Sequence, residues 1–187
     1  MGGKRGHRPV PESTGPLKNI VLIGMPGAGK STVGVILAKA LRRHFLDTDI
    51  VIQEQAGRLL QEIIDTDGPE AFKRLEEETV LSLHRRNTVI ATGGSVVFSR
   101  RAMEHLKKEG IVVYLKISFE EMENRLRNIT TRGIVLSHGE TLREMYDERV
   151  PLYEKYADIT VSCSEEDFET VVGKVINALP AKPGDRA

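Results

Sequence analysis

The stretch GMPGAGKST, Gly24 to Thr32, follows the apolar run NIVLIG and decides the fold class of this chain. It matches the pattern G-x-x-x-x-G-K-[ST] between a predicted strand and a predicted helix, which is typical of a phosphate-binding P-loop. The glycines let successive backbone N–H groups curl around a phosphate, and the positive end of the following helix faces the same anion. The stretch therefore predicts nucleoside triphosphate binding rather than an ordinary glycine-rich turn.

Individual residues of this loop have distinct predicted roles. Lys30 is expected to reach the outer phosphates, and the Ser31 hydroxyl is placed to ligate Mg²⁺. The loop therefore predicts a nucleoside triphosphate and Mg²⁺ as cofactors. The predicted ATP-binding residues of the loop are Gly27, Ala28, Gly29, Lys30, Ser31 and Thr32.

Short β-branched runs alternate with amphipathic helical patterns along the chain. The predicted strands are 19–24, 88–92, 110–117 and 158–162, with a weaker one at 44–49; the predicted helices are 31–44, 69–86, 99–109, 118–128, 140–156 and 165–179. Strands separated by helices imply a parallel sheet between helical layers. We expect one α/β domain at 18–179, flanked by a disordered or vector-derived tail at 1–17 and a second tail at 180–187.

The composition argues against several classes of partner. The 187 residues include 27 Lys and Arg and 27 Asp and Glu, so the formal net charge is zero and exerts no overall attraction on nucleic acid or anionic membranes. No apolar run approaches the roughly 20 residues of a membrane span. The one cysteine, Cys163, cannot form an internal disulfide, which fits a reducing cytoplasm. We expect a cytoplasmic protein, monomeric, with no nucleic-acid or membrane partner.

Two carboxylates stand at the end of the stretch FLDTD. Asp47 and Asp49 are two residues apart, so in an extended segment their side chains point the same way. At the carboxyl edge of a parallel sheet, one could hold Mg²⁺ while the other accepts a proton from an attacking hydroxyl. Alternatively, both are solvated acidic caps of the following helix. The two residues alone leave these interpretations open.

Three further stretches complete a pattern that is known from one family: GPEAF with Glu76 four residues after Phe72, then ATGGS, then RVPLYEKYAD. With the P-loop and FLDTD they make residues 18 to 179 resemble the shikimate kinases, small P-loop kinases of aromatic amino-acid biosynthesis. The resemblance implies a three-layer fold with a five-stranded parallel sheet of order 2-3-1-4-5 and a mobile lid at about 130–140. It also implies transfer of the γ-phosphate of ATP to the 3-hydroxyl of shikimate.

The resemblance also implies roles for single residues. Ser31 and Asp47 would serve Mg²⁺, and Asp49 would bind the substrate hydroxyls and act as the base. Arg149 matches an arginine that grips the substrate carboxylate. The predicted catalytic residues are Lys30, Asp49 and Arg132 of the lid; Arg125 and Arg132 join the ATP-binding set, and Asp49, Lys73, Gly93, Gly94 and Arg149 form the substrate-binding set.

The sequence departs from the family pattern at three places. Lys73 stands where the family usually has an arginine that contacts the carboxylate, and lysine lacks the planar fork for two parallel bonds. Ser95 replaces the third glycine of the glycine turn, and Arg132-Gly133 replaces Arg-Pro in the lid. These departures lie on the acceptor and lid side. Shikimate is the predicted acceptor; a different small hydroxy acid or polyol, as in gluconate-type kinases, and a non-catalytic binding module are the alternatives.

Overall fold

The structure of the protein, a computed structural model, describes residues 18–127, 134 and 139–180. The predicted tail at 1–17, nearly all of the tail at 180–187 and most of the predicted lid, including Arg132, lie outside the described residues. The expectations for those segments stay predictions.

Five parallel strands form a single sheet. They are β1 (Asn19–Ile23), β2 (His44–Asp47), β3 (Thr88–Ala91), β4 (Gly110–Lys116) and β5 (Ile159–Ser162). Their order is β2-β3-β1-β4-β5, which confirms the order that the family resemblance implied. β1 is central, and all five of its residues are buried. Burial on both faces explains why its sequence is a continuous apolar run rather than an alternating one.

Eight α-helices flank the sheet in the part of the chain that is described: α1 (Lys30–Leu41), α2 (Thr48–Ala56), α3 (Leu60–Asp67), α4 (Pro69–Ser82), α5 (Arg100–Glu109), α6 (Phe119–Arg127), α7 (Leu142–Tyr156) and α8 (Phe168–Ala178). A 3₁₀ turn (Val96–Phe98) precedes α5. Helix α1 packs against α8, and α4 packs against α5. In the described ranges, none of these helices has the length and apolar character needed to cross a membrane.

The predicted helices did not include α2 and α3, although one interpretation of FLDTD implied a helix after Asp49. The physical reason is that each is short and buries little. Helix α2 buries Thr48 and Ile52, and α3 buries Ile63 and Ile64. Neither helix therefore carries the long apolar stripe that makes a helix visible in a sequence.

The boundary between β2 and α2 corrects one expectation. The strand ends at Asp47, whose carboxylate accepts a hydrogen bond from the backbone N–H of Asp49 at 3.0 Å and so caps α2. Aspartate is a strong N-cap, and it ends the strand earlier than predicted. Asp49 thus lies in the first turn of a helix, so the interpretation that placed both carboxylates on one extended segment was wrong, whereas the alternative of an acidic helix cap holds for Asp47.

The topology brings three loops together at the carboxyl edge of the sheet. Strand β1 leads into the P-loop, its neighbour β3 leads into the glycine turn, and β2 leads into the first turn of α2. In open α/β sheets, ligands bind outside the carboxyl ends of the strands, where the direction of the chain connections reverses. The P-loop, the glycine turn and Asp49 therefore meet at one place.

Candidate active site

The P-loop has the backbone geometry that its sequence predicts. Gly29 caps α1 with φ of 87°, a conformation that disfavours residues with a β-carbon, and such a carbon would lie 2.7 Å from the Phe168 ring. The Lys30 side chain is buried, and its ammonium group donates hydrogen bonds to the carbonyl oxygens of Gly24 (2.7 Å) and Met25 (2.9 Å). Lys30 and the amino end of α1 therefore place positive charge at the same point.

A cavity of about 220 Å³ opens beside this loop. Lys30, Ser31, Asp47 and Asp49 all line it, together with Gly94 of the glycine turn. The Ser31 hydroxyl and the Asp47 carboxylate are oxygen donors of the kind that Mg²⁺ prefers. Among the described residues there is no group of three or more His, Cys, Asp or Glu that would hold a metal by itself. The donor set therefore fits a Mg²⁺ ion that completes its shell with phosphate oxygens and water.

The glycine turn after β3 has no room for a side chain at Gly93 and is tightly packed at Gly94. A β-carbon on Gly93 would lie 2.1 Å from Glu76 Oε1 and 2.9 Å from Asp49 Oδ1. The backbone N–H of Gly93 donates to Thr48 Oγ1 at 3.1 Å. A β-carbon on Gly94 would lie 3.1 Å from Pro26 Cδ. Glycine at these positions lets the turn touch the P-loop and the start of α2 at once.

Helix α7 reaches the other side of the turn with two residues one helical turn apart. Arg149 is 2 % exposed, and its Nη1 lies 3.3 Å from the point that a β-carbon on Gly94 would occupy. The Tyr153 hydroxyl donates to the Gly94 carbonyl oxygen at 2.5 Å, and its ring stacks on Tyr114 at 5.1 Å between centroids. The motif R-x-P-L-Y thus brings a buried cation to the turn and ties the turn to the helix.

Four of the five predicted substrate-binding residues, all except Lys73, line a second, smaller cavity. It measures about 20 Å³ and is lined by Pro26, Asp49, Phe72, Gly93, Gly94, Ser95 and Arg149. Pro26, Asp49 and Gly94 also line the larger cavity. The two spaces therefore adjoin, with phosphate-binding groups on one side and a buried guanidinium on the other.

Glu76 is a site residue that our sequence-based set missed. It is 2 % exposed, and Ser95 Oγ donates to its Oε2 at 2.6 Å. Burial raises the pKa of the Glu76 carboxyl to about 7; the charge of Asp49 adds to this effect, while the Ser95 hydrogen bond, Arg149 and Lys30 oppose it. A signal was present in the sequence, because Glu76 occupies the buried face of α4, which otherwise consists of Phe72, Thr79 and Val80.

Of two other predicted site residues, Arg125 contacts the P-loop, whereas Lys73 lies outside both cavities. Arg125 donates to the Gly27 carbonyl oxygen at 2.9 Å, so it lies directly beside the P-loop. Lys73 lines neither of the two cavities. Its ammonium group pairs with Glu70 at 3.0 Å and lies 4.8 Å from the centroid of the Phe98 ring.

Comparison with known proteins identifies the family. Residues 26–180 match the shikimate kinase profile. This chain belongs to the shikimate kinase family. It is 36% identical to a shikimate kinase of Vibrio cholerae over 165 residues, which cover 87% of this chain and 95% of the relative. It is 37% identical to a shikimate kinase of Legionella pneumophila over 166 residues, with 87% and 95% covered.

Solved structures agree with this assignment. The shikimate kinase from Acinetobacter baumannii in complex with shikimate is similar with a TM-score of 0.79 and 32% identity, covering 90% of this chain and 97% of that one. The shikimate kinase from Aquifex aeolicus is similar with a TM-score of 0.72 and 32% identity, covering 85% and 94%. The predicted P-loop kinase fold is confirmed.

Proposed function

We propose that this protein is an ATP-dependent kinase that transfers the γ-phosphoryl group of ATP to the 3-hydroxyl of shikimate. The observation that carries the proposal is the convergence of Lys30, Asp49 and Arg149 around one glycine turn in a chain of the shikimate kinase family. A phosphate-binding lysine, a carboxylate and a buried arginine suit an acceptor that has both hydroxyl groups and a negative charge. Shikimate has both.

The nucleotide half of the site would bind the triphosphate by charge and backbone geometry. Lys30 and the amino end of α1 would neutralise the phosphates, and Arg125 would lie against the adenine. Ser31 and Asp47 would hold Mg²⁺, which when bound would neutralise charge on the phosphate oxygens. These groups are held in place before the reaction, so that little reorganisation accompanies the transfer.

The acceptor half would align the hydroxyl for in-line attack. Asp49 would accept a hydrogen bond from the 3-hydroxyl and take its proton, while the acceptor oxygen bonds to the γ-phosphorus and the bond to ADP breaks. Arg149 would bind the shikimate carboxylate, and Gly93 and Gly94 allow the ring to approach the backbone. Lys73 would contact that carboxylate as well only after leaving Glu70, to which it is paired at 3.0 Å.

Further expectations complete the proposal. Arg132 would neutralise charge on the transferring phosphoryl group, and the lid at about 130–140 would close over it to exclude water. We further propose that the protein is monomeric and cytoplasmic, with no nucleic-acid or membrane partner. The zero formal net charge supports the absence of those partners.

A coupled assay of ADP formation tests the proposal with shikimate, quinate, gluconate and AMP as acceptors. We expect turnover that depends on shikimate. Lys30→Ala should abolish it, because the ammonium group that would neutralise the phosphates is lost. Lys39→Ala is the matched control, since Lys39 is an exposed lysine of the same helix and should not affect turnover. Turnover with gluconate but not shikimate would contradict the acceptor, and ADP formation independent of any acceptor would contradict the kinase assignment.

A further inference from the structure

Glu76 is a buried acidic side chain held by one neighbour. Its Oε2 accepts a hydrogen bond from Ser95 Oγ at 2.6 Å, whereas Oε1 accepts none from the described residues. Within the same part of the chain, Glu76 forms no ion pair. Buried carboxylates normally have a charged partner or several hydrogen bonds. The Ser95 hydroxyl is therefore the group that fixes the orientation of this carboxyl.

That orientation matters because Glu76 lies close to Asp49 and interacts electrostatically with Arg149, two residues of the proposed acceptor site. The ideal β-carbon position of Gly93 is 2.1 Å from Glu76 Oε1 and 2.9 Å from Asp49 Oδ1, so the two carboxyl oxygens are at most 5.0 Å apart. Ser95 and Arg149 line the same small cavity. A rotation of the Glu76 carboxyl would change its electrostatic interactions with both Asp49 and Arg149.

The charged groups around Glu76 have opposite effects on its carboxylate. Asp49 on α2 repels the carboxylate, whereas Arg149 on α7 and Lys30 on α1 attract it. Attraction between opposite charges is strong where water is excluded. Without the Ser95 hydrogen bond, the carboxylate would therefore turn towards Arg149, the attracting group that lines the small cavity. An ion pair formed there would compete with the acceptor for the same guanidinium.

We propose that Ser95 is a positioning residue for the acceptor: by holding Glu76 through Oε2, it keeps Glu76 from competing with the acceptor carboxylate for Arg149. The proposal rests on the proposed function, because that carboxylate is the one of shikimate. The hydroxyl is available here because serine stands where the family usually has a third glycine, which could not make this bond. Ser95 thus assists binding of the acceptor without touching it.

Steady-state kinetics of Ser95→Ala, Ser95→Thr and the double variant Ser95→Ala with Glu76→Gln test the proposal. We expect Ser95→Ala to raise the KM for shikimate roughly tenfold, the scale of one hydrogen bond to a charged group, with the KM for ATP unchanged. Ser95→Thr keeps the hydroxyl and should restore the KM. In the Glu76→Gln background, Ser95→Ala should have less than a twofold effect, because a neutral amide is not drawn to Arg149.

Ser99→Ala is the matched control. Ser99 Oγ donates to Glu77 Oε2 at 2.5 Å, so it makes the same kind of bond to the neighbouring residue of α4, and Ser99 lines neither of the two site cavities. This variant should lose stability, because Ser99 also caps α5, but its KM for shikimate should match the wild type. An equal rise in KM for Ser99→Ala and Ser95→Ala would overturn the proposal, as would a Ser95→Ala variant with an unchanged KM.

A crystal structure of Ser95→Ala decides the question independently of activity. The proposal predicts Glu76 within ion-pair distance of Arg149, and an unmoved Glu76 would overturn it. If the wild type did not phosphorylate shikimate, the proposed function would fail, and this structure would still show whether Ser95 holds Glu76 away from Arg149.

Discussion

At the scale of single residues, the site contains two neighbouring carboxyl groups in different surroundings. Glu76 is enclosed by protein, and its pKa is raised to about 7 chiefly by burial. Asp49 lines the cavity that also contains Lys30 and Ser31. Two carboxyl groups in unlike environments commonly take different roles in catalysis. We therefore propose that Asp49, which lines this cavity, is the base, and that Glu76 is not.

Replacing Asp49 with asparagine tests this assignment. We expect Asp49→Asn to lower kcat by at least about a hundredfold, the usual scale for losing a positioned base, while the affinity for ATP stays within twofold of the wild type. Nucleotide affinity can be measured by calorimetry and kcat by the coupled assay. Asp47→Asn is the companion variant and should instead weaken binding of the Mg²⁺–ATP complex. If Asp49→Asn abolished nucleotide binding, Asp49 would belong with Asp47 to the metal site.

The raised pKa of Glu76 makes stability depend on pH. Because the folded pKa of about 7 exceeds the ordinary value of 4.5, the folded state binds this proton more tightly than the unfolded state. The contribution of Glu76 to the free energy of unfolding therefore falls as pH rises from about 4.5 through about 7. Glu76→Gln removes the titration, so its stability relative to the wild type should be greater at pH 8 than at pH 5 by about 2 to 3 kcal/mol.

Urea denaturation of both proteins at the two pH values measures this difference. Glu78→Gln is the control, since Glu78 is an exposed residue of the same helix and should show no such dependence. A relative stability of Glu76→Gln that does not change between pH 5 and pH 8 would mean that the Glu76 carboxyl titrates normally.

At the scale of secondary-structure elements, the glycine turn after β3 is held by its neighbours. Thr48 of α2 accepts from the Gly93 N–H, Pro26 of the P-loop contacts Gly94, and Tyr153 of α7 donates to the Gly94 carbonyl. The turn therefore has its position fixed by three elements that come from distant parts of the sequence. A loss at any of them should move the acceptor site more than the nucleotide site.

Tyr153→Phe removes one of these contacts without removing the ring. We expect a loss of about 1 kcal/mol in the free energy of unfolding and a several-fold rise in the KM for shikimate, with the KM for ATP unchanged. Tyr146→Phe is the control, because Tyr146 lies on the same helix and donates to the Ile117 carbonyl at 2.8 Å, away from the turn. If both variants raised the KM for shikimate equally, the turn would not depend specifically on Tyr153.

Local sequence predicted the longer elements but not the short ones. The P-loop, the alternating strands and helices such as α8 carry strong local patterns, and these predictions were confirmed. No helical pattern indicated α2, whose start coincides with a strand end, and the sequence left open whether Asp47 and Asp49 extend the strand or cap a following helix. The role of Glu76 was missed because helical spacing alone does not show that Ser95, 19 residues away, donates to its carboxyl group.

At the scale of the whole molecule, the two halves of the site differ in how closely they follow the family. The P-loop side keeps Lys30, Ser31 and Asp47 of the family pattern. On the proposed acceptor side, Lys73 replaces the usual arginine and Ser95 replaces the usual third glycine. The structure accounts for one departure, since Ser95 binds Glu76, and it places Lys73 beside Glu70 rather than in the cavities. The fold and the P-loop geometry could thus be predicted from motifs, whereas the contacts around the proposed acceptor site depend on packing between distant segments.

The most direct measurement of the central claim is the position of the phosphate in the product. The protein is incubated with ATP, Mg²⁺ and shikimate, and the product is examined by proton–phosphorus correlation NMR. The proposed function predicts a new phosphorus signal coupled to the proton on C3 of the shikimate ring, absent with Lys30→Ala. A signal coupled to a different ring proton, or ADP and inorganic phosphate as the only new phosphorus species, would contradict it.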